Sequence, residues 1–201
     1  MLSITILIIL VTAIISIPAF TNHKLMNAGI LYPFIMQKPN QWYRFISSGF
    51  LHADWMHLLI NMFVLYSFGT MVENYYSYFF GSNGTWLFIL LYLSSLVAAS
   101  ASSYYKNQHN SSYRSLGASG AVSAITTASI LFAPTAKIYL YGFIALPNIV
   151  AGVLYLVYSQ YASRNANDHI NHEAHFYGAL YGIAFTLVAK PRIFFYFLEQ
   201  F

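Results

Sequence analysis

The chain opens on an apolar run, Leu2–Phe20, and five more apolar stretches follow, each bounded by polar residues, Gly or Pro. A bilayer span needs about 20 predominantly apolar residues. The pattern therefore predicts an all-α fold of six transmembrane helices at about 2–20, 56–77, 85–105, 117–133, 136–160 and 175–190. The first run lacks a basic leading segment and a clear small-residue cleavage site, so it reads as a retained span rather than a signal peptide. Between the first two spans lies a long connection, 21–55, carrying Tyr32, Phe34, Trp42, Tyr43, Phe45, Phe50 and Trp55. So many aromatics suit a membrane-associated segment at the lipid–water interface, not an aqueous loop.

The fourth stretch, Gly117–Ala133, is short: some 17 residues at ~1.5 Å rise give roughly 25 Å. It is crowded with Gly, Ala, Ser and Thr, as suits a central helix surrounded by the others. Ser119, Ser123 and Thr127 fall on one face, and Gly178, Gly182 and Thr186 do the same in the sixth stretch. Small residues at every fourth position let helices approach closely, so these two are predicted to touch.

Composition agrees with the pattern. Hydrophobic residues make up 58% of the 201 and charged ones 7%, against about 25% charged in soluble domains. No Pro- or Ser-rich linker divides the chain, so 1–201 reads as one domain, and any chemistry must sit among the helices. Nine Lys and Arg against five Asp and Glu give a net charge of +4. The basic residues are scattered singly, which excludes a nucleic-acid stripe and suits contact with lipid headgroups. A cytoplasmic N-terminus would leave only Lys137, Lys190 and Arg192 inside, against the positive-inside tendency, so charge does not set the orientation. Cysteine is absent, which removes disulfides, thiol catalysis and Cys-ligated metals.

Spans two, four and six run in the same direction, and His57, Ser119 and His175 stand at their openings. Three residues of catalytic type thus fall at similar depth on one side. A serine hydroxyl attacks only when a base takes its proton, and His175 has that reach if spans four and six touch. Gly117-Ala118-Ser119-Gly120 puts the hydroxyl at a helix N-terminus, where unpaired N–H groups and the positive dipole end await an oxyanion. His57 and Asn61, four apart, share a helix face and aim donors the same way. One oxyanion donor is worth roughly 2.7–4 kcal/mol in such a site. Taken singly, each motif is more often packing or a structural polar contact; their co-occurrence at matched depth favours chemistry.

From about Gln41 to Phe185 the chain resembles the rhomboid family. Gln41-Trp42-Tyr43-Arg44-Phe45 with Phe50-Leu51-His52 is similar to its first-loop stretch. His57-x-x-x-Asn61 and Gly69-Thr70-Met71-Val72-Glu73 are similar to its second-helix motifs, Gly117-Ala118-Ser119-Gly120 to its nucleophile motif, and Ala174-His175-Phe176-Tyr177-Gly178 with Gly182 to its sixth-helix motif. The resemblance implies an intramembrane serine endopeptidase with Ser119 as nucleophile and His175 as base and acid. It implies an oxyanion site of His57, Asn61 and the Ser119 N–H, and structural support from Arg44, Glu73 and glycines 117, 120, 178 and 182. It also implies transmembrane protein substrates entering beside the fifth span, with no cofactor and no metal. The bare six-helix form suggests a bacterial cytoplasmic membrane.

Two positions depart from the family pattern. The usual Trp before the loop Arg is Tyr43, with Trp42 adjacent. Ser123 stands four residues after the nucleophile, where an aromatic often stacks on the catalytic His; Ser123 itself, Asn171 or water is left to hold His175. No Asp or Glu is placed as a third member, so a dyad is expected. Rival readings are weaker. His169, His172 and His175 recur every third residue, but metal pairs on helices prefer His-x-x-x-His. An inactive relative would typically have lost the Ser or the His, and a transporter would show paired broken helices or an inverted repeat.

Overall fold

A computed structural model describes residues 3–140, 143–165 and 171–201, and helices dominate it. Helix α1 (Ile4–Ala19) begins at Ser3. Its first donors fall on the Glu73 carboxylate, which accepts from the Ser3 hydroxyl at 2.6 Å, the Ile4 N–H at 2.7 Å, and the Thr5 N–H and hydroxyl at 3.0 and 2.8 Å. A partly buried carboxylate needs such donors, and a helix start supplies them with the positive end of its dipole. Glu73 thereby ties the N-terminal helix to the middle of a later one.

The long connection holds three short helices, α2 (His23–Gly29), α3 (Pro33–Met36) and α4 (Arg44–Ser47). Arg44 organises them from a buried position: Nη1 donates to the carbonyls of Asn27 at 2.9 Å and Ile30 at 2.7 Å, and Nε donates to Gln41 Oε1 at 2.8 Å. The planar guanidinium can hold three acceptors at once, which a lysine cannot. A backbone bridge between Leu31 and Ser115 joins this connection to the approach of the central helix.

Asp54 caps α5 (Trp55–Phe80), a tight turn at Gly81–Asn83 follows, and α6 (Gly84–Asn107) returns. Next come α7 (Ser119–Phe132), a hairpin of β1 (Lys137–Leu140) and β2 (Ile144–Pro147), then α8 (Asn148–Asn165), α9 (His172–Ala189) and α10 (Arg192–Leu198). Five of the six expected helices thus recur with ends shifted by a few residues, but the fifth does not start at 136. Its first part forms the antiparallel hairpin, in which Lys137 faces Pro147. The physical reason is Pro147: inside a helix it would remove a hydrogen bond and clash with the preceding turn. The Asn148 N–H donates to the Ala136 carbonyl at 2.8 Å, so α8 starts only where the hairpin closes.

The bundle buries small polar side chains beside its apolar core and exposes large apolar ones. Every residue of α7 except Ser119 and Thr126 is buried, and so are Thr5, Thr12, Ser16, Ser95 and Thr186 on neighbouring helices. Outside, Ile14, Phe63, Trp86, Leu90, Val153 and Val157 are exposed. Large apolar side chains exposed on so many helices suit contact with lipid. By length and apolarity alone, however, one stretch among the described residues, Trp55–Asn107, qualifies for crossing, and α9 with α10 qualifies only as a pair bent by 111°. Helices α1 and α7 are apolar but shorter than a span requires. For α7 the shortness has a cause: a helix wrapped by others need not match the lipid thickness.

Candidate active site

Ser119 is the first residue of α7, and the chain reaches it through Gly117 at φ +118, a conformation side chains rarely adopt. The Gly117 N–H donates to the Ser48 carbonyl at 3.0 Å, which fixes the approach. A Cβ on Gly117 would lie 2.8 Å from His57 Nε2 and 3.9 Å from Ser119 Oγ. The missing side chain therefore leaves a point that both groups face. A cavity of about 20 Å³ also adjoins Ser119, lined among others by Ser48, Ser115 and Asn171. That is room for about one water molecule.

His175 comes from α9, which starts at His172, one turn earlier than expected, with Asn171 accepting from the Ala174 N–H at 3.0 Å as the cap. Helices α7 and α9 are in backbone contact. A Cβ on Gly178 would lie 2.1 Å from the Gly120 carbonyl oxygen, and one on Gly182 would lie 2.0 Å from that of Ala124. Thr127 Oγ1 donates across the same seam to the Ala179 carbonyl at 2.7 Å. The small-residue faces thus meet as predicted, with Ser119 at the first turn of one helix and His175 at the first turn of the other. Tyr155 of α8 stacks beside the His175 ring, centroids 6.3 Å apart and planes inclined by 26°. His172 packs edge-on to both His175 and Tyr158.

The two histidines near α5 have assignable tautomers. His57 Nδ1 faces the Ala53 N–H at 3.4 Å and acts as acceptor, which leaves the proton on Nε2, the nitrogen facing Gly117. His57 is therefore a donor toward that point. Asn61 is buried and donates from Nδ2 to the His57 carbonyl at 2.9 Å, so one of its two N–H bonds is spent within the helix.

His52, in the turn before α5, is fully buried. Its Nε2 accepts from the Ala118 N–H at 3.4 Å, while Nδ1 meets Ser16 Oγ at 3.0 Å, and Ser16 donates to the Phe50 carbonyl at 2.8 Å. Only the neutral ring fits this chain, since a second proton would set two N–H groups against each other. Burial, with His57 adding to it, pushes the His52 pKa down to about 3. Below the ordinary value of 6.5 the unfolded chain takes up a proton that the folded chain refuses. Stability is then full above about pH 6.5 and declines as pH falls toward about 3. We expect thermal midpoints in detergent to drop over that window and His52→Gln, which keeps a donor and an acceptor, to flatten the slope. An unchanged slope in the variant assigns the acid sensitivity elsewhere.

Ser119 and His57 flank Gly117, Asn61 bonds to the His57 carbonyl, and Gly120, Gly178 and Gly182 bring the helix of His175 against that of Ser119. Arg44 and Glu73 lie away from these, each tying chain segments together. Two residues beside the site were not singled out from sequence: His52, which braces the backbone at Ala118, and Tyr155; Asn171, a candidate holder of His175, instead caps α9 and donates to Ser103 Oγ at 2.9 Å. The aromatic expected after the nucleophile was the one available hint toward Tyr155. His169 lies outside the described residues, and among those residues no three His, Asp or Glu side chains converge as a metal site would need.

A helical bundle with large apolar side chains outside, a half-buried serine at a helix start and histidines on two adjoining helices defines a class: helical proteins of membrane type. Comparison with known proteins narrows this. The rhomboid-domain family model matches residues 39–192. Rhomboid-like protein 11, chloroplastic, of Arabidopsis thaliana is 30% identical over 174 residues, covering 81% of this chain and 58% of that protein. RHOMBOID-like protein 12, mitochondrial, of the same plant is 29% identical over 180 residues, covering 85% of this chain and 54% of that protein. The chain belongs to the rhomboid family, which is membrane-integral and whose members are generally serine proteases. It spans little more than half the length of these two relatives. Their names refer to plant organelles, and nothing in the comparison supports the bacterial cytoplasmic membrane suggested by the bare six-helix form.

Proposed function

We propose that this chain is an intramembrane serine endopeptidase that cleaves transmembrane protein substrates near the membrane surface, with six crossings and a Ser119–His175 dyad. The observation that carries the reading is the backbone contact of α7 and α9 at Gly120 and Gly178, which sets the first turns of both helices side by side. In the proposed reaction His175 takes the Ser119 proton as Oγ bonds to the substrate carbonyl carbon. The oxygen, now negative, is met by the Ser119 N–H, unpaired at a helix start, and by the Nε2–H of His57. The intermediate collapses as the peptide C–N bond breaks, and His175 returns the proton to the departing amine. Water then attacks the acyl-enzyme by the same route in reverse, freeing the new carboxylate and Ser119.

A fluorophosphonate probe tests this directly. The purified protein should be labelled at Ser119, and His175→Ala should abolish labelling. A folded wild-type protein that neither labels nor cleaves would point instead to a non-catalytic member that binds membrane helices.

Asn61 has two supporting routes in this reading: its remaining N–H toward the oxyanion, and its bond to the His57 carbonyl. Asn61→Ala is expected to lower kcat far more than it raises KM, by up to the ~10²–10³ seen for loss of an oxyanion donor. An unchanged kcat removes Asn61 from the oxyanion site.

A further inference from the structure

The position four residues after Ser119 is a small hydroxyl, Ser123, yet it stands beside an aromatic from another helix. Ser123 Oγ and the Tyr155 hydroxyl oxygen are 2.5 Å apart, and Ser123 Oγ also lies 2.7 Å from the Ser119 carbonyl oxygen. A carbonyl only accepts, so the single Ser123 proton is spent on it. The Tyr155 hydroxyl must then be the donor to Ser123. A directed chain runs from the Tyr155 O–H through the Ser123 O–H to the Ser119 carbonyl, and the same tyrosine ring lies stacked beside His175. The centroid distance of 6.3 Å falls within the roughly 4.5–7 Å of favourable aromatic pairs.

We propose that Tyr155 is the positioning residue of the His175 imidazole: α8 delivers its ring to the histidine face, and Ser123 anchors its hydroxyl to the backbone of Ser119. One side chain thus lies against His175 and reaches the backbone of Ser119 through Ser123.

The inference rests on the Ser119–His175 reading, and the experiment separates the two. Steady-state cleavage and fluorophosphonate labelling are measured for wild type, His175→Ala, Tyr155→Leu, Tyr155→Met, Tyr155→Phe and Ser123→Ala, with thermal midpoints for each. Tyr155→Leu should lower kcat by at least about tenfold, toward the ~100-fold that an ångström-scale misplacement costs, with KM nearly unchanged. Tyr155→Met fills the volume without a planar ring and should behave likewise, so it decides the matter if the Leu variant does not fold. Tyr155→Phe keeps the ring and should recover most of the lost turnover, and Ser123→Ala should fall between Phe and Leu. If His175→Ala labels as fast as wild type, the dyad itself fails. If His175→Ala is silent while folded Tyr155→Leu or Tyr155→Met turns over at the wild-type kcat, the positioning role is overturned; a wild-type kcat in Ser123→Ala overturns the anchor.

Discussion

Ser119→Ala should leave a folded protein that no longer cleaves a transmembrane substrate. Only one oxygen is removed, from a side chain that is half-buried at the first turn of α7, so Gly117, Gly120 and the seam with α9 are undisturbed. The catalytic loss is of another order, because in the proposed reaction the acyl-enzyme forms on this oxygen. Removing a serine nucleophile from a comparable unit costs about 10⁶ in kcat, which places the variant below detection in a liposome or detergent assay. Its thermal midpoint should match wild type. Substantial residual cleavage by the purified variant would mean that another group attacks the substrate.

The second large effect is on the fold. Gly178→Ala and Gly182→Ala each add one methyl group, aimed at a backbone carbonyl oxygen 2.1 or 2.0 Å away. A carbonyl inside a helix cannot rotate aside without giving up its own hydrogen bond, so α7 and α9 must separate. Ordinary overpacking costs about 1–3 kcal/mol, and a backbone-on-backbone clash belongs at or above the upper end. Each variant should therefore melt well below wild type and lose activity further, since Ser119 and His175 ride on the two helices being forced apart.

Gly152→Ala is the discriminating control. Its Cβ would also lie 2.1 Å from a neighbour, but that neighbour is the Cδ1 tip of Ile130. A side-chain tip can change rotamer, and alanine is about 1 kcal/mol better than glycine within a helix. The variant should be close to neutral in thermal midpoint. Equal damage at positions 152, 178 and 182 would show that glycine content, not backbone contact, is what the bundle needs.

How far these effects could be foreseen differs from residue to residue. The touching faces of α7 and α9 were legible because small residues at every fourth position write a helix–helix contact directly into the chain. Ser119, His57 and His175 were legible as helix-opening polar residues in alternate apolar runs. The hairpin at 137–147 was missed because its apolar residues read as a continued span, although Pro147 marked where a helix could start. Tyr155 was missed because a tyrosine in an apolar run reads as one more interfacial aromatic. His52 was missed because its partners, Ser16 and Ala118, are remote in sequence.

What the sequence determined by itself was therefore everything carried by periodicity and composition: a helical bundle suited to lipid, a small central helix, and polar residues at the openings of alternate helices. Those signals are local, because hydrophobic burial and close helix packing depend on spacings of a few residues. What only the tertiary structure decided was which neighbour completes each polar group: Glu73 on the start of α1, the protonated nitrogen of His57, the tyrosine beside His175. Hydrogen bonds and ring stacking are directional and act over a few ångströms, so their partners are chosen only once distant segments have packed.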